Sequence, residues 1–296
     1  MFLIKIIVLA MVQGLAELLP VSSSAHVVVA EKLMGLDVSS PAMTLLLVML
    51  HTGTMFAVVV YFWSQWKRLY FSSAEAFRRI AVQLIVATLL TGIVGYVIIK
   101  CIEKTILSGV ANGQIEDLFG HLEWIAPALA VAGALIIIAG ILRRNEDLRD
   151  PAIEKDHEMS LRQASCIGVV QGFCLPFRGF SRSGATISTG MLTGLTKARA
   201  EVFSFALAVI LTPAAIAKEA LRVVHQHHPD AQFASNSGHI SGAFLPSVIG
   251  MVCSFLAGLL ALKWLSRWLE NGRWYLFGVY CLIAATVVFA LHRAGY

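Results

Sequence analysis

The sequence predicts an all-α integral membrane protein, with six transmembrane helices plus two re-entrant helical hairpins in an inverted-topology repeat. Three observations carry that prediction. Hydrophobic residues make up 57% of the 296 and charged residues only 14%, with a mean hydropathy of +0.75, whereas roughly a quarter of an ordinary soluble domain is charged. Several apolar runs reach or approach the ~20 residues a helix needs to cross the hydrocarbon, rather than the ~10-residue alternation of a sheet barrel. Two further apolar regions are each broken at the middle by proline and serine, and the two breaks share a pattern.

Residues 1–34 break at Pro20 and the serines that follow, so two half-length helices around an irregular tip are expected, a hairpin that enters and leaves on one side. Such backbone is tolerated at membrane depth only where protein or a water-filled cavity covers it. Lys5 before an apolar segment imitates a secretory signal, but Gln13 and Glu17 interrupt the run and no small-residue cleavage pattern follows. Spans at 43–63, 80–100 and 122–142 come next. Residues 161–194 then break between Pro176 and Ser183, and spans at 203–223, 243–263 and 274–292 complete the chain. The tips read "QGLAELLPVSSSAH" and "QGFCLPFRGFSRSGAT", each opening Gln-Gly, passing a proline and ending in serines, as an internal duplication would. Within one membrane domain, 1–296, residues 1–142 therefore form a first repeat and 161–296 a second. Three spans between the hairpins turn the second repeat over, and its tip meets the first near the midplane.

Lys67, Arg68, Arg78, Arg79, Arg143, Arg144, Arg149, Lys155, Arg162, Lys197, Arg199, Lys263, Arg267 and Arg273 gather in loops of one side, against Lys32, Lys100, Lys104, Arg222 and Arg293 on the other. The positive-inside bias puts the first side in the cytoplasm and both termini outside. The net charge of +5 is thereby a topology signal rather than a nucleic-acid footprint. The connector near 143–160 reads as solvated, and 224–241 as the longest outer loop. Cys101, Cys166, Cys174, Cys253 and Cys281 have no ligand spacing and read as buried small hydrophobes. Trp63, Trp66, Trp264, Trp268 and Trp274 suit an interfacial belt.

The polar residues of the tips carry the chemistry. Gln13 and Glu17, four apart, share a helix face. Ser22, Ser23 or Ser24 can cap the second half-helix, whose first turn presents unpaired N–H groups and the positive dipole end. Ser22 and Ser23 lie four and three residues before His26, and a hydroxyl beside an imidazole with a carboxylate nearby is the composition that activates a nucleophile. The other tip supplies Arg178 and Arg182 among Ser181, Ser183 and Thr186. Arginine forks match phosphate oxygens, and an intramembrane arginine needs an anionic partner. Facing tips of this kind describe a polyanion site, with phosphoryl transfer as the leading chemistry. Plainer readings stand beside this one: serines as caps and bundle hydrogen bonds, Glu17 paired with Arg182 or His26, His51 as a packing residue, and His225, His227 and His228 as surface residues rather than a metal motif.

At these residues the chain resembles the undecaprenyl-diphosphatase family, the bacitracin-resistance type of membrane phosphatase. One family motif, an acid or Gln, three residues, Glu, then Pro-Val-Ser-Ser-x-Gly-His, falls on Gln13, Glu17, Pro20, Val21, Ser22, Ser23, Ala25 and His26. The other, Pro-Gly-x-Ser-Arg-Ser-Gly-x-Thr, falls on Gly179, Ser181, Arg182, Ser183, Gly184 and Thr186. "FSFALAV" at 203–209 is similar to the family's Phe-Ser-Phe span start. The resemblance implies hydrolysis of undecaprenyl diphosphate to the monophosphate that carries cell-wall precursors, bacitracin resistance, a divalent cation (Mg2+ or Ca2+), and a bacterial inner-membrane site open to the extracytoplasmic side. It makes Ser23 the candidate nucleophile, His26 its base or proton shuttle, Glu17 a metal ligand with Gln13 or a His-orienting group, and Arg182 the diphosphate clamp. Ser22, Ser181, Ser183 and Thr186 follow as substrate donors, and water attack with Ser23 only binding phosphate stays open.

Three departures from the family pattern matter. Gln13 removes an acidic charge and weakens a two-carboxylate metal site. Ala25 replaces a usual Gly at the first tip. Arg178 replaces a usual Pro at the second, where it either contacts phosphate or snorkels to the surface. The expected partners are the polyprenyl diphosphate and membrane lipids, with a homodimer allowed and no nucleic acid. The rival reading is a transporter or flippase of a polyprenyl phosphate or other anion, since re-entrant inverted repeats also build carriers.

Overall fold

A computed structural model describes residues 2–36, 41–105, 115, 121–143, 158–226, 233–270 and 272–295. Among them are ten α-helices and no strand: α1 (Phe2–Leu18), α2 (Ser23–Met34), α3 (Pro41–Leu69), α4 (Ala74–Thr105), α5 (Leu122–Leu142), α6 (Leu161–Cys174), α7 (Arg182–Leu192), α8 (Lys197–Gln226), α9 (Phe233–Glu270) and α10 (Trp274–Arg293). Both expected breaks are present, at 19–22 and 175–181. Pro20 cannot continue α1, and α2 begins afresh with Ser22 as its N-cap and Gly35 at its end in the left-handed conformation. Ser160 and Gln163 form a reciprocal capping box that starts α6.

Among the described residues, five helices are long and apolar enough to cross a membrane: Met43–Leu69, Ala74–Thr105, Leu122–Leu142, Phe244–Trp268 and Trp274–Arg293. The expected span at 203–223 falls on α8, whose side chains from 218 onward lie outside the described residues. Most of the connector at 143–160, with Arg144, Arg149 and Lys155, lies outside them too, as do His227, His228 and the side chain of His225. The outer loop expected over 224–241 is helical at both ends, because α8 runs to Gln226 and α9 starts at Phe233, and no proline interrupts either stretch. Ile85, Leu89, Ile93 and Val97 recur every fourth residue along α4 and are all exposed, an apolar stripe that faces lipid in a spanning helix.

Close contacts fix how the helices run. Ile6, Gly14 and Leu18 of α1 meet Gly250, Ser254 and Gly258 of α9 in turn, so α1 and α9 are parallel. Leu50, Gly53 and Ala57 of α3 meet Gly250, Met251 and Gly258, and Tyr61 reaches Ser266, so α3 runs the same way. Ala87 and Thr91 of α4 meet Gly168 and Gly172 of α6, again parallel. By contrast α5 and α10 are antiparallel, Gly133 lying on Gly278 and Gly140 on Tyr275. Phe62 stacks on Phe205 and Trp66 donates to the Val202 carbonyl at 3.3 Å, an antiparallel crossing of α3 and α8.

Two expectations need correction. Trp66 and Trp274 are not interfacial: they are 7% and 0% exposed, and the Trp274 indole donates to Ser188 Oγ at 3.0 Å. A buried indole stays only where its N–H is satisfied, as both are. Nor are the cysteines uniformly buried: Cys174 and Cys281 are, but Cys101 is exposed, on a helix whose outer face is lipid-exposed. At one end of the molecule Arg68, Glu75, Arg79, Glu158 and Arg199 line a cavity of about 410 Å³, where Arg79 pairs with both Glu75 and Glu158.

Candidate active site

The two hairpin tips touch. Ser183 Oγ donates to the Leu19 carbonyl at 3.2 Å, the Gly179 N–H donates to Ser24 Oγ at 3.3 Å, and the Cys281 thiol reaches the Pro20 carbonyl at 3.3 Å. Between them lies a cavity of about 460 Å³ whose lining includes Gln13, Glu17, Ser22, Ser23, Ser24, Ser181, Arg182 and Ser183. The polar residues of both tips thus face one space.

Glu17 is the hub. Its Oε2 accepts from Ser23 Oγ at 2.5 Å and from Gln13 Nε2 at 3.1 Å, while Oε1 accepts from Arg182 Nη2 at 3.0 Å. Side chains in a first helical turn lean toward the N-terminus, so Ser23 reaches back across the break to the last turn of α1. Arg182 opens α7 and crosses from the other hairpin; its Nη1 is enclosed and makes no hydrogen bond. A buried guanidinium donor without an acceptor is costly, and an anion in the cavity would satisfy it. Gln13 also donates to His51 Nδ1 at 2.8 Å, and that nitrogen lies 3.8 Å from Glu17 Oε2. His51, expected to be a packing residue, therefore lines the cavity; it comes from α3, and no spacing in the hairpin motif signals it.

The other candidate residues divide. Ser22 has φ 67°, the single positive φ of a non-glycine among the described residues, a strained conformation of the kind found at functional turns. The tip thus turns at Ser22, and Ala25, the departure from Gly, sits in the first turn of α2 where a Cβ costs nothing. At the second tip Gly179, with φ +104°, packs on the Ile125 carbonyl, and Arg178 lines the cavity rather than leading away from it. Ser181 caps α7, accepting from the Gly184 N–H at 3.2 Å. Thr186 is fully buried and bonds Ser204 at 2.6 Å, outside the cavity lining. His26 is outside it as well: its Nδ1 donates to the Ser22 carbonyl at 2.8 Å, and its Nε2 is hydrogen-bonded to the Tyr280 hydroxyl at 2.6 Å. The structure thus joins the Ser23 hydroxyl to Glu17 and not to His26.

As to a cation, no group of three His, Cys, Asp or Glu side chains gathers among the described residues. Glu17 is a hard oxygen donor, Gln13 turns its Nε2 toward it and would offer Oε1 to an ion with the amide turned over, and Mg2+ is commonly held by one or two carboxylates with phosphates and waters supplying the rest. The Glu17 carboxylate fits one position of such an ion, with substrate oxygens and waters left to fill the others.

The family described as bacitracin resistance protein BacA matches residues 6–287. The chain is 53% identical over 293 residues to "Undecaprenyl-diphosphatase 2" of Acinetobacter baylyi, covering 98% of both. It is 33% identical over 290 residues to a protein of the same name from Burkholderia orbicola, covering 94% of this chain and 93% of that one. "Undecaprenyl-diphosphatase" of Rhodopirellula baltica is 31% identical over 290 residues, 98% of each.

Proposed function

The chain belongs to the bacitracin resistance protein BacA family, and from that premise we infer how its cavity works. Its activity is the hydrolysis of undecaprenyl diphosphate to undecaprenyl phosphate and inorganic phosphate, in a multi-pass membrane protein. The observation that carries the assignment to this cavity is Glu17, which holds a hydroxyl from its own hairpin on one oxygen and a guanidinium from the other hairpin on its second.

In the mechanism proposed, Arg182 exchanges part of its hold on Glu17 for the terminal phosphate, filling its vacant Nη1 with a phosphate oxygen. Ser23 Oγ attacks the terminal phosphorus, Glu17 takes the hydroxyl proton across the 2.5 Å hydrogen bond, and the P–O bond to undecaprenyl phosphate breaks. Glu17 hands that proton to the departing undecaprenyl phosphate oxygen and, a carboxylate again, takes one from the water that attacks the phosphoserine, returning it to Ser23 Oγ as inorganic phosphate leaves. Direct water attack with Ser23 orienting the phosphate uses the same groups. The first turn of α2 points its N–H groups at the tip and favours the developing negative charge. His26 holds the Ser22 turn through the carbonyl it bonds. Glu17 and Gln13 would hold the divalent cation, Mg2+ or Ca2+, which would neutralise charge on the phosphate oxygens.

The directions of the helices support the re-entrant reading. Since α1 and α3 run parallel along α9, α2 has brought the chain back to its starting side; α6, parallel to α4, stands in the same relation to α7. Each hairpin's first helix lies along the other half's second long helix, α1 on α9 and α6 on α4, as halves 1–142 and 161–296 of opposite orientation would place them, with α8 as the sixth span. Arg68, Arg79 and Arg199 at one end support that end as cytoplasmic in the inner membrane, which opens the site outward.

The experiment is phosphate release from undecaprenyl diphosphate by detergent-purified protein, with and without chelator, beside Ser23→Ala. Release that needs a divalent ion and vanishes in the variant supports the scheme. A well-folded protein that moves the lipid across vesicles without cleaving it would replace the scheme with a carrier.

A further inference from the structure

Glu31 plays no part in the scheme above. Ser24, Val27 and Glu31 all line the cavity, at spacings of three and four that put them on one face of α2. Glu31 therefore stands about 10 Å along the helix from Ser24, toward the end remote from the tip. It is 3% exposed, and its Oε1 is enclosed without a hydrogen-bond partner. A carboxylate so placed needs positive charge close by. Burial acts most strongly on the Glu31 carboxyl, and the positive charge that opposes it is the guanidinium of Arg178, which lines the same cavity. Arg178 comes from the second hairpin and Glu31 from the first, so opposite charges from the two hairpins line this part of the cavity as well.

Resting on the diphosphatase reading, we propose that Glu31 is a positioning residue that holds Arg178 turned into the cavity as a second cationic arm, so that Arg182 and Arg178 together recognise a diphosphate rather than a single phosphate. A diphosphate carries more charge and more oxygen acceptors than one fork can match, and two arginines four residues apart on one tip span both phosphoryl groups. The Glu31 carboxylate fixes Arg178 in the empty site and yields it to the ligand, which replaces one anion by another.

The test uses the purified full-length protein and measures KM and kcat for undecaprenyl diphosphate, with inhibition constants for inorganic diphosphate and orthophosphate. Glu31→Gln and Arg178→Ala should each weaken inhibition by diphosphate about ten- to a hundredfold, the loss expected of a charge-assisted hydrogen bond. Inhibition by orthophosphate should change far less, and the loss in turnover should fall mainly on KM. The double variant should be no worse than Arg178→Ala alone. Arg178→Lys should recover part of the affinity, and it carries the test should Glu31→Gln fail to fold. Unchanged diphosphate inhibition, effects that multiply in the double variant, or a raised divalent-ion requirement in Glu31→Gln alone would each overturn the proposal. Absence of hydrolysis by the wild type would instead fail the parent reading, and the comparison of the two inhibitors stays readable either way.

Discussion

The two hairpins begin alike and end as opposites. Gly14 lies on the Ser254 carbonyl and Ala257 of α9, and Gly172, in the corresponding Gln-Gly, lies on Val94 and the Thr91 carbonyl of α4. At either position a Cβ would fall within 2.7 Å of a neighbouring atom. Beyond that glycine the first hairpin carries Glu17 and Ser23, whereas the second carries Cys174 and Leu175 and then two arginines. Even the two glutamines differ: Gln13 joins Glu17 to His51, while Gln171 is 1% exposed with an Oε1 that has no partner. Backbone packing is held in common, and chemistry is divided so that acid and hydroxyl face cation.

The comparison predicts unequal sensitivity at the tips and equal sensitivity at the glycines. The largest effect expected is on phosphate release: Ser23→Ala and Arg182→Ala should each lower kcat by about three orders of magnitude or more, while both still elute as folded protein. Glu17→Gln should follow at about 10²- to 10⁴-fold as the lost general base; near-wild-type kcat there would return that role to His26. Gly14→Ala and Gly172→Ala should each destabilise by about 1–3 kcal/mol through overpacking against backbone, read as a fall in thermal midpoint. A cost at one glycine alone would break the correspondence between the hairpins. Tyr280→Phe should cost the least, about fivefold in kcat, the worth of one neutral hydrogen bond to the ring that steadies Ser22.

The sequence made the scaffold readable and left the wiring obscure. Pro20 and the Pro176 region mark both breaks because each proline, which removes a backbone donor, is followed by serines that can cap a new helix, whereas Pro127, Pro213 and Pro246 lie inside helices; the apolar runs mark the spans because lipid demands them. Contacts between distant elements are different. Spacing put Ser23 beside His26, yet the first-turn geometry sends Ser23 back to Glu17 and His26 to the Ser22 carbonyl. His51 and Tyr280 come from α3 and α10, and no local pattern announces which face of a long apolar helix meets the tip. Trp66 and Trp274 looked interfacial by composition and are core residues, since the Val202 carbonyl and the Ser188 hydroxyl that satisfy them lie far along the chain. Glu31 lies in a run that reads as an ordinary helix end until the cavity brings it onto one lining with Arg178.

The pairing of Glu17 with Arg182 spans 165 residues of chain, and that separation sets a timetable. At about 5–20 residues per second, a ribosome inserts the carboxylate roughly ten to thirty seconds before its guanidinium exists. Through that interval the first hairpin must keep an acid hydrated or neutral while α3, α4, α5 and α6 are still being made. The enzyme's most exposed moment therefore comes during its own synthesis, before the last helix has left the translocon.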